Sequence, residues 1–206
     1  MRTSVYACAV ALSLLLSTAV AGSQTAAPQT TAAPPNFSVQ VWGDVIAEFG
    51  VRVQQYFELR RKLESELPPL VLTDNSHDII TAELALAERV RRARRPAKQG
   101  AIFTPAIAKA FREVLAPVLT GLTLDVVMDE NPGRFEHSLD SRYPTAKPKA
   151  TIPTTLLQLL PPLPDDLQYG FIGRQLIIHD TRTGTIVDRM TCAIPCGIRL
   201  PEKKDD

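Results

Sequence analysis

Apolar residues return every third or fourth position through much of the first half of the chain, and every second position near its end. Trp42, Phe49, Tyr56 and Leu63 recur at seven-residue intervals, with Ile46, Val53 and Leu67 on the same stripe. This spacing predicts an amphipathic helix over residues 39–66, stopped by Pro68-Pro69. Arg60 falls where the stripe calls for another apolar side chain. A second helix is expected to start near Asn75-Ser76, which can cap it, and to carry Ile79, Ile80, Leu84, Leu86 and Val90 before Pro96. Thr104-Pro105 predicts a third start, with a hydroxyl cap followed by proline at the first helical position. Ile107, Phe111, Leu115 and Val118 continue its apolar face, and Pro117 should kink or end it.

Leu124 to Pro148 reads mostly as loop, because Asn131-Pro132-Gly133, Tyr143-Pro144 and Lys147-Pro148 are turn or extended chemistry. Thr154 to Leu160 predicts one or two helical turns between Pro153 and Pro161-Pro162. The period then changes to two. Leu167, Tyr169 and Phe171 alternate with Gln168, Gly170 and Ile172, while Gln175–Asp180 and Thr185–Arg189 are aliphatic and β-branched. Gly173-Arg174 and Thr181-Arg182-Thr183-Gly184 supply the turns, so the segment predicts a three-stranded antiparallel meander. A meander this small needs an apolar partner, which the helices provide.

The N-terminal pattern differs from both. Arg2 precedes an apolar run from Val5 to Leu16, and Ala19-Val20-Ala21 has the small-x-small form that signal peptidase cuts. The expectation is an exported protein, periplasmic or secreted, whose mature chain begins at Gly22. Gly22 to Asn36 is rich in Ala, Thr, Gln and Pro without charge, which predicts a disordered spacer. The fold class expected is α+β: at least three amphipathic helices followed by a small three-stranded antiparallel β-meander. The segments are a signal peptide (1–21), a linker (22–37), a helical region (38–122), an irregular Pro-rich connection with a short helix (123–162), the meander with a C-terminal disulfide (163–200) and a charged tail (201–206).

Charge and cysteine narrow the function classes. The chain holds 23 basic and 22 acidic residues. Losing Arg2 makes the mature chain formally neutral, which removes any whole-molecule attraction to nucleic acid. Arginine outnumbers lysine, and Ala and Pro abound, as in proteins from GC-rich bacterial genomes. No apolar stretch after the signal is long enough to span a membrane. Cys8 leaves with the signal, so Cys192 and Cys196 remain, and an oxidising compartment favours pairing them.

The stretch from Leu163-Pro164 through Tyr169-Gly170-Phe171 and Gly173 to Leu176-Ile177-Ile178, closing with Thr183-Gly184-Thr185-Ile186-Val187, resembles the C-terminal β element of periplasmic proteins similar to nickel/cobalt homeostasis regulators. The whole chain is also similar to a group of small exported proteins of soil bacteria. The first resemblance covers under a fifth of the mature chain and lies in folding residues. It implies a meander and an envelope location, and no metal function, because no His-rich segment accompanies it.

Candidate chemistry is sparse. Cys192-x3-Cys196 predicts a structural disulfide. Met190, Cys192 and Cys196, with His179, form the alternative soft-metal or thiol-handling set, since thiolates and a thioether suit Cu(I). His77, His137 and His179 lack the spacing of a two-His helical site and read as scattered. Asp125, Asp129, Glu130, Glu136 and Asp140 read as a solvated acidic loop without calcium-loop spacing. No Gly-x-Ser-x-Gly elbow or phosphate loop is present, and Asp165-Asp166 reads as turn, so neither catalysis nor a cofactor is implied. Arg89, Arg91, Arg92, Arg94, Arg95 and Lys98 form a basic cluster. It reads either as a solvated helix end or as a face for an anionic envelope component. Two functions stay open: an exported envelope interaction or accessory protein, non-catalytic, with an unidentified envelope partner; or a periplasmic metal- or thiol-handling protein.

Overall fold

The computed structural model describes residues 39–69, 74–95, 98–150 and 152–197. The expected signal peptide, linker and charged tail lie outside them.

Helix α1 (Val39–Ser65) buries Phe49, Val53 and Tyr56, and also Arg60. The seven-residue stripe therefore faces the interior along its central turns, while Trp42 and Leu63 pack at its ends. Helix α2 (Ser76–Ala93) is capped by Asn75, whose side chain accepts from the His77 N–H at 3.1 Å. Its apolar face is narrower than the sequence suggests. Leu86 and Val90 are buried, whereas Ile79, Ile80 and Leu84 are exposed. Helix α3 (Pro105–Leu115) has Pro105 in its first turn, and Thr104 accepts from the Ile107 N–H at 3.3 Å. Ile107, Phe111 and Leu115 are buried as expected, and the helix ends before Pro117.

One segment corrects the sequence reading. Gly121–Asp129 is a helix, α4, so it is not loop from Leu124 onward and it crosses the expected boundary at 122/123. Leu124 and Val127 are buried and Met128 packs beside them, the i, i+3, i+4 spacing of a helix face. The turn chemistry at Asn131-Pro132 ends this helix without reaching back through it. Helix α5 (Thr154–Leu157) is the short one expected after Pro153.

Strands β1 (Leu167–Ile172), β2 (Gln175–Asp180) and β3 (Thr185–Met190) form an antiparallel sheet in the order β1-β2-β3. Both its faces are covered. On one, Leu176, Ile178, Val187 and Met190 join Phe49, Phe111 and Ile107 in the main core. On the other, Ile172, Ile177 and Ile186 pack with Tyr143 and Phe135 of the irregular connection. That connection also runs along the outer edge of β3: Ile186 accepts from Asp140 N–H and donates to Ser141 C=O, and Gly184 C=O accepts from Tyr143 N–H. An edge strand that would otherwise expose unpaired backbone is thereby closed. Gly184 has φ +65°, and a Cβ there would sit 3.3 Å from Arg142 Nε, so the turn is reserved for glycine.

The β2–β3 ladder is irregular. Ile178 pairs with Asp188 and His179 with Ile186, leaving Val187 as the extra residue of a bulge. The bulge turns the Val187 carbonyl toward Arg94, whose two terminal nitrogens donate to it at 3.1 Å each. Beside it, the buried Asp188 carboxylate accepts from the Gly100, Ile102 and Phe103 N–H groups at 3.0, 2.7 and 2.8 Å. One acid on β3 thus satisfies the backbone of the loop between α2 and α3.

Candidate functional site

Toward the C-terminal half of α1 the seam between that helix and the sheet becomes polar. Tyr56 donates to Asp180 at 2.7 Å, and Arg60, 2 % exposed, reaches Glu64 at 2.8 Å and Asp166 at 3.1 Å. Arg60 Nε lies 3.5 Å from Asp180 Oδ2, within ion-pair reach but outside hydrogen-bond geometry. Asp180 also accepts from the Arg182 N–H at 2.9 Å. Burial holds the Asp180 carboxyl above its ordinary range, against the opposing pull of Tyr56 and Arg60. Burial first, and the Asp180 charge second, raise the Tyr56 phenol well above its own. The interruption of the apolar stripe at Arg60 is therefore an ion-pair anchor, and these groups are occupied with one another.

The basic cluster does not form one surface. Arg94 is internal, its side chain 7 % exposed; it is ion-paired with Asp140 and lies over the Tyr56 ring, 5.0 Å from its centroid. Arg91 and Arg92 both bond Glu88, the latter at 2.8 Å, and Arg89 reaches Glu66 at 3.4 Å. Arg95 and Lys98 are exposed. The acidic set is likewise divided: Asp125 and Asp129 stand on α4, and Asp140 is the buried partner of Arg94.

Cys192 and Cys196 are joined as a disulfide. Met190 packs into the main core, while His179 lies on the sheet's opposite face, so the four members of the soft-metal set do not converge. Among the described residues, no group of three or more His, Cys, Asp or Glu side chains could hold a metal ion. His77 is exposed at the start of α2, and His137 Nδ1 meets the Phe135 carbonyl at 2.9 Å.

His179 is different. It lines a cavity of about 660 Å³ between β1, β2 and the connection, framed by Tyr143, Lys149, Ile152, Leu157 and Leu163. It is 4 % exposed, and neither ring nitrogen has a hydrogen-bond partner. The Gly184 carbonyl, which also accepts from Tyr143 N–H, lies near the ring and pulls slightly toward its protonated form, without the geometry of a full hydrogen bond to either nitrogen. Burial first, and the charge of Lys149 second, lower the His179 pKa to about 4, so the ring is neutral at pH 7. Tyr143 fixes the ring in an edge-on contact at 5.6 Å and is itself held by its hydroxyl, which donates to Pro148 C=O at 2.5 Å.

Gly170 keeps this space open. It pairs with Ile177 in mid-strand without a positive φ, so its backbone does not require glycine. A Cβ there would meet Ile177 at 3.5 Å, an ordinary contact, and larger side chains would grow into the cavity. Tyr143, Lys149 and Gly170 were not distinguishable as site residues by motif. The glycine within an alternating strand was the available signal, since such a glycine marks a bulge or a close approach.

Among the described residues, no helix is long and apolar enough to cross a membrane. Comparison with protein-family models, with curated proteins and with solved structures finds no match for this chain.

Proposed function

We propose that the chain is an exported, non-catalytic accessory protein of the cell envelope, and that it works by binding a small ligand in the cavity beside His179. The observation that carries this reading is a cavity of about 660 Å³ walled mostly by apolar side chains, with the buried imidazole of His179 in its wall. A concave, largely apolar space with a few polar groups in its wall is the usual form of a ligand site. The remaining buried acids are engaged in the α1–sheet seam or the α2–α3 loop, which supports a binding role over acid–base chemistry. The envelope location rests on the N-terminal pattern and on the resemblance of the meander. The metal- or thiol-handling alternative has less support, because Cys192 and Cys196 are bonded and Met190 lies across the sheet from His179.

Native mass spectrometry of protein taken from the envelope fraction without denaturation tests the reading. The wild type is expected to carry a small-molecule adduct that Gly170→Val loses. Adduct-free wild type, or an adduct equally retained by Gly170→Val, would count against it.

A further inference from the structure

A cleft of about 980 Å³, sharing no lining residue with the cavity beside His179, is walled by the 134–142 stretch of the connection with Gln175 of β2 and Arg189 of β3. Three arginines line it, and their charges are not equally spent. Arg142 is ion-paired with Glu83 at 2.7 Å. Arg189 donates through Nη1 to the His137 carbonyl at 2.8 Å and through Nε to Gln99 Oε1 at 3.3 Å, two neutral acceptors that fix the guanidinium without cancelling its charge. Arg134 has neither a hydrogen bond nor an ion pair among the described residues. Glu136 is the one acid among the described residues that line the cleft, and it pairs with none of the three. Two uncompensated cations therefore share one concave surface. The frame that carries Arg134 is fixed: the buried Asn131 side chain donates to Gly173 C=O and accepts from the Gly173 and Gly133 N–H groups, each at 2.9 Å, which pins the connection to the β1–β2 turn. Arg189 is anchored to the same stretch at His137, within a chain span of at most about 11 Å from Arg134. The His137 carbonyl shares its peptide with Ser138, whose own hydroxyl has no hydrogen-bond partner among the described residues and whose residue also lines the cleft.

We propose that this cleft binds a phosphate monoester, its phosphoryl group held by Arg134 and Arg189 with the Ser138 hydroxyl as a neutral donor. The charges match, because a phosphate monoester carries about −1.5 to −2 at pH 7, against two spare guanidinium charges. A guanidinium fork suits the several acceptor oxygens of a phosphoryl group. Arg189, already held through two of its nitrogens, loses little freedom on binding. The cleft is far larger than a phosphoryl group and its lining is polar apart from Phe135, so it has room for a polar alcohol portion and no hydrocarbon wall. The same contacts serve a free ester and the headgroup of phosphatidate. The site is independent of any binding beside His179.

The test is calorimetric titration of the full chain with glycerol 3-phosphate, alongside sedimentation with phosphatidylcholine vesicles with and without phosphatidate. One glycerol 3-phosphate is expected to bind per chain, and uncharged glycerol is expected not to bind. Arg134→Gln should weaken binding about tenfold or more, the scale of a lost charge-assisted hydrogen bond. It should leave the melting temperature unchanged, because that side chain has no partner in the fold. Arg189→Gln should weaken binding similarly and Glu136→Gln should strengthen it. Lys109→Gln, an equal change of charge outside the cleft, should leave it unaltered. Binding of the soluble ester with no sedimentation supports the site and makes the free ester its ligand. Sedimentation that needs phosphatidate and is lost in both arginine variants, without binding of the soluble ester, supports the site and makes the lipid its ligand. Absence of binding to both, or binding that falls no further in Arg134→Gln and Arg189→Gln than in Lys109→Gln, overturns the assignment.

Discussion

The hydroxyl of Tyr56 on α1 donates to the carboxylate of Asp180 on β2 at 2.7 Å, joining residues 124 positions apart. With Arg60 beside it, this bond ties the longest helix to the central strand, and all three side chains are buried. An apolar seam could pack as well, so the contribution of the pair is best read from its disruption. Tyr56→Phe keeps the ring and removes the donor. It is expected to cost about 2 kcal/mol, the scale of a hydrogen bond to a charged group. Urea unfolding at neutral pH would measure this, and an unmoved midpoint would show that Arg60 and the backbone donors satisfy Asp180 unaided.

Arg94 and its neighbours should separate cleanly. Arg94→Gln leaves Asp140 buried without its ion pair and withdraws two donors from the Val187 carbonyl. Breaking such a pair costs about 3–5 kcal/mol. Arg91→Gln and Arg92→Gln lose only solvent-screened pairs with Glu88 and should leave the unfolding midpoint nearly unchanged. Any test of an anionic docking face therefore uses Arg91, Arg92 and Arg95 and leaves Arg94 in place. Salt-sensitive sedimentation with anionic vesicles, lost in that triple variant, is the outcome such a face requires; identical recovery of both proteins retires it.

What could be read in advance follows the range of the forces involved. Helices α1 and α3 and the three strands are set by local periodicity and capping, which the sequence displays directly. Helix α4 was hidden because the Asn131-Pro132-Gly133 signal dominates its neighbourhood, although Leu124, Val127 and Met128 have helical spacing. The misfit of Arg60 in the stripe was visible, but its meaning depends on Asp166, 106 residues away. Arg94 looks like Arg91 and Arg92 in sequence; only the β3 bulge and Asp140 draw it inside. The cavity draws on the connection, α5, β1 and β2 together, so no single window of sequence contains it.

The Cys192–Cys196 ring should contribute modestly. Its sequence separation is 4, and closing so short a loop restricts the unfolded chain by about 2 kcal/mol in the loop-entropy account. The double variant Cys192→Ser, Cys196→Ser is expected to lose that much stability and to keep the meander. Alkylation of protein isolated without reductant should modify neither cysteine. Two reactive thiols in protein taken directly from the envelope would return weight to the thiol-handling reading.

His179 should make the fold acid-sensitive in a defined window. Burial and the Lys149 charge hold its pKa near 4, below the 6.5 of an exposed imidazole. Between those values the unfolded chain binds a proton that the folded chain refuses. Its contribution is therefore complete above about pH 6.5 and declines as pH falls toward 4, by at most about 3 kcal/mol. Asp140 and Asp180 act in the opposite sense: burial raises both carboxyls, so the folded state holds their protons to higher pH and gains stability as pH falls. The two effects overlap in wild type, and comparison with His179→Gln separates them. The stability of wild type relative to that variant should be greater at pH 7 than at pH 4, the difference opening between the two pKa values. A difference that stays flat across the range would mean that the imidazole takes up its proton as readily folded as unfolded, and that the cavity is wet enough to solvate it.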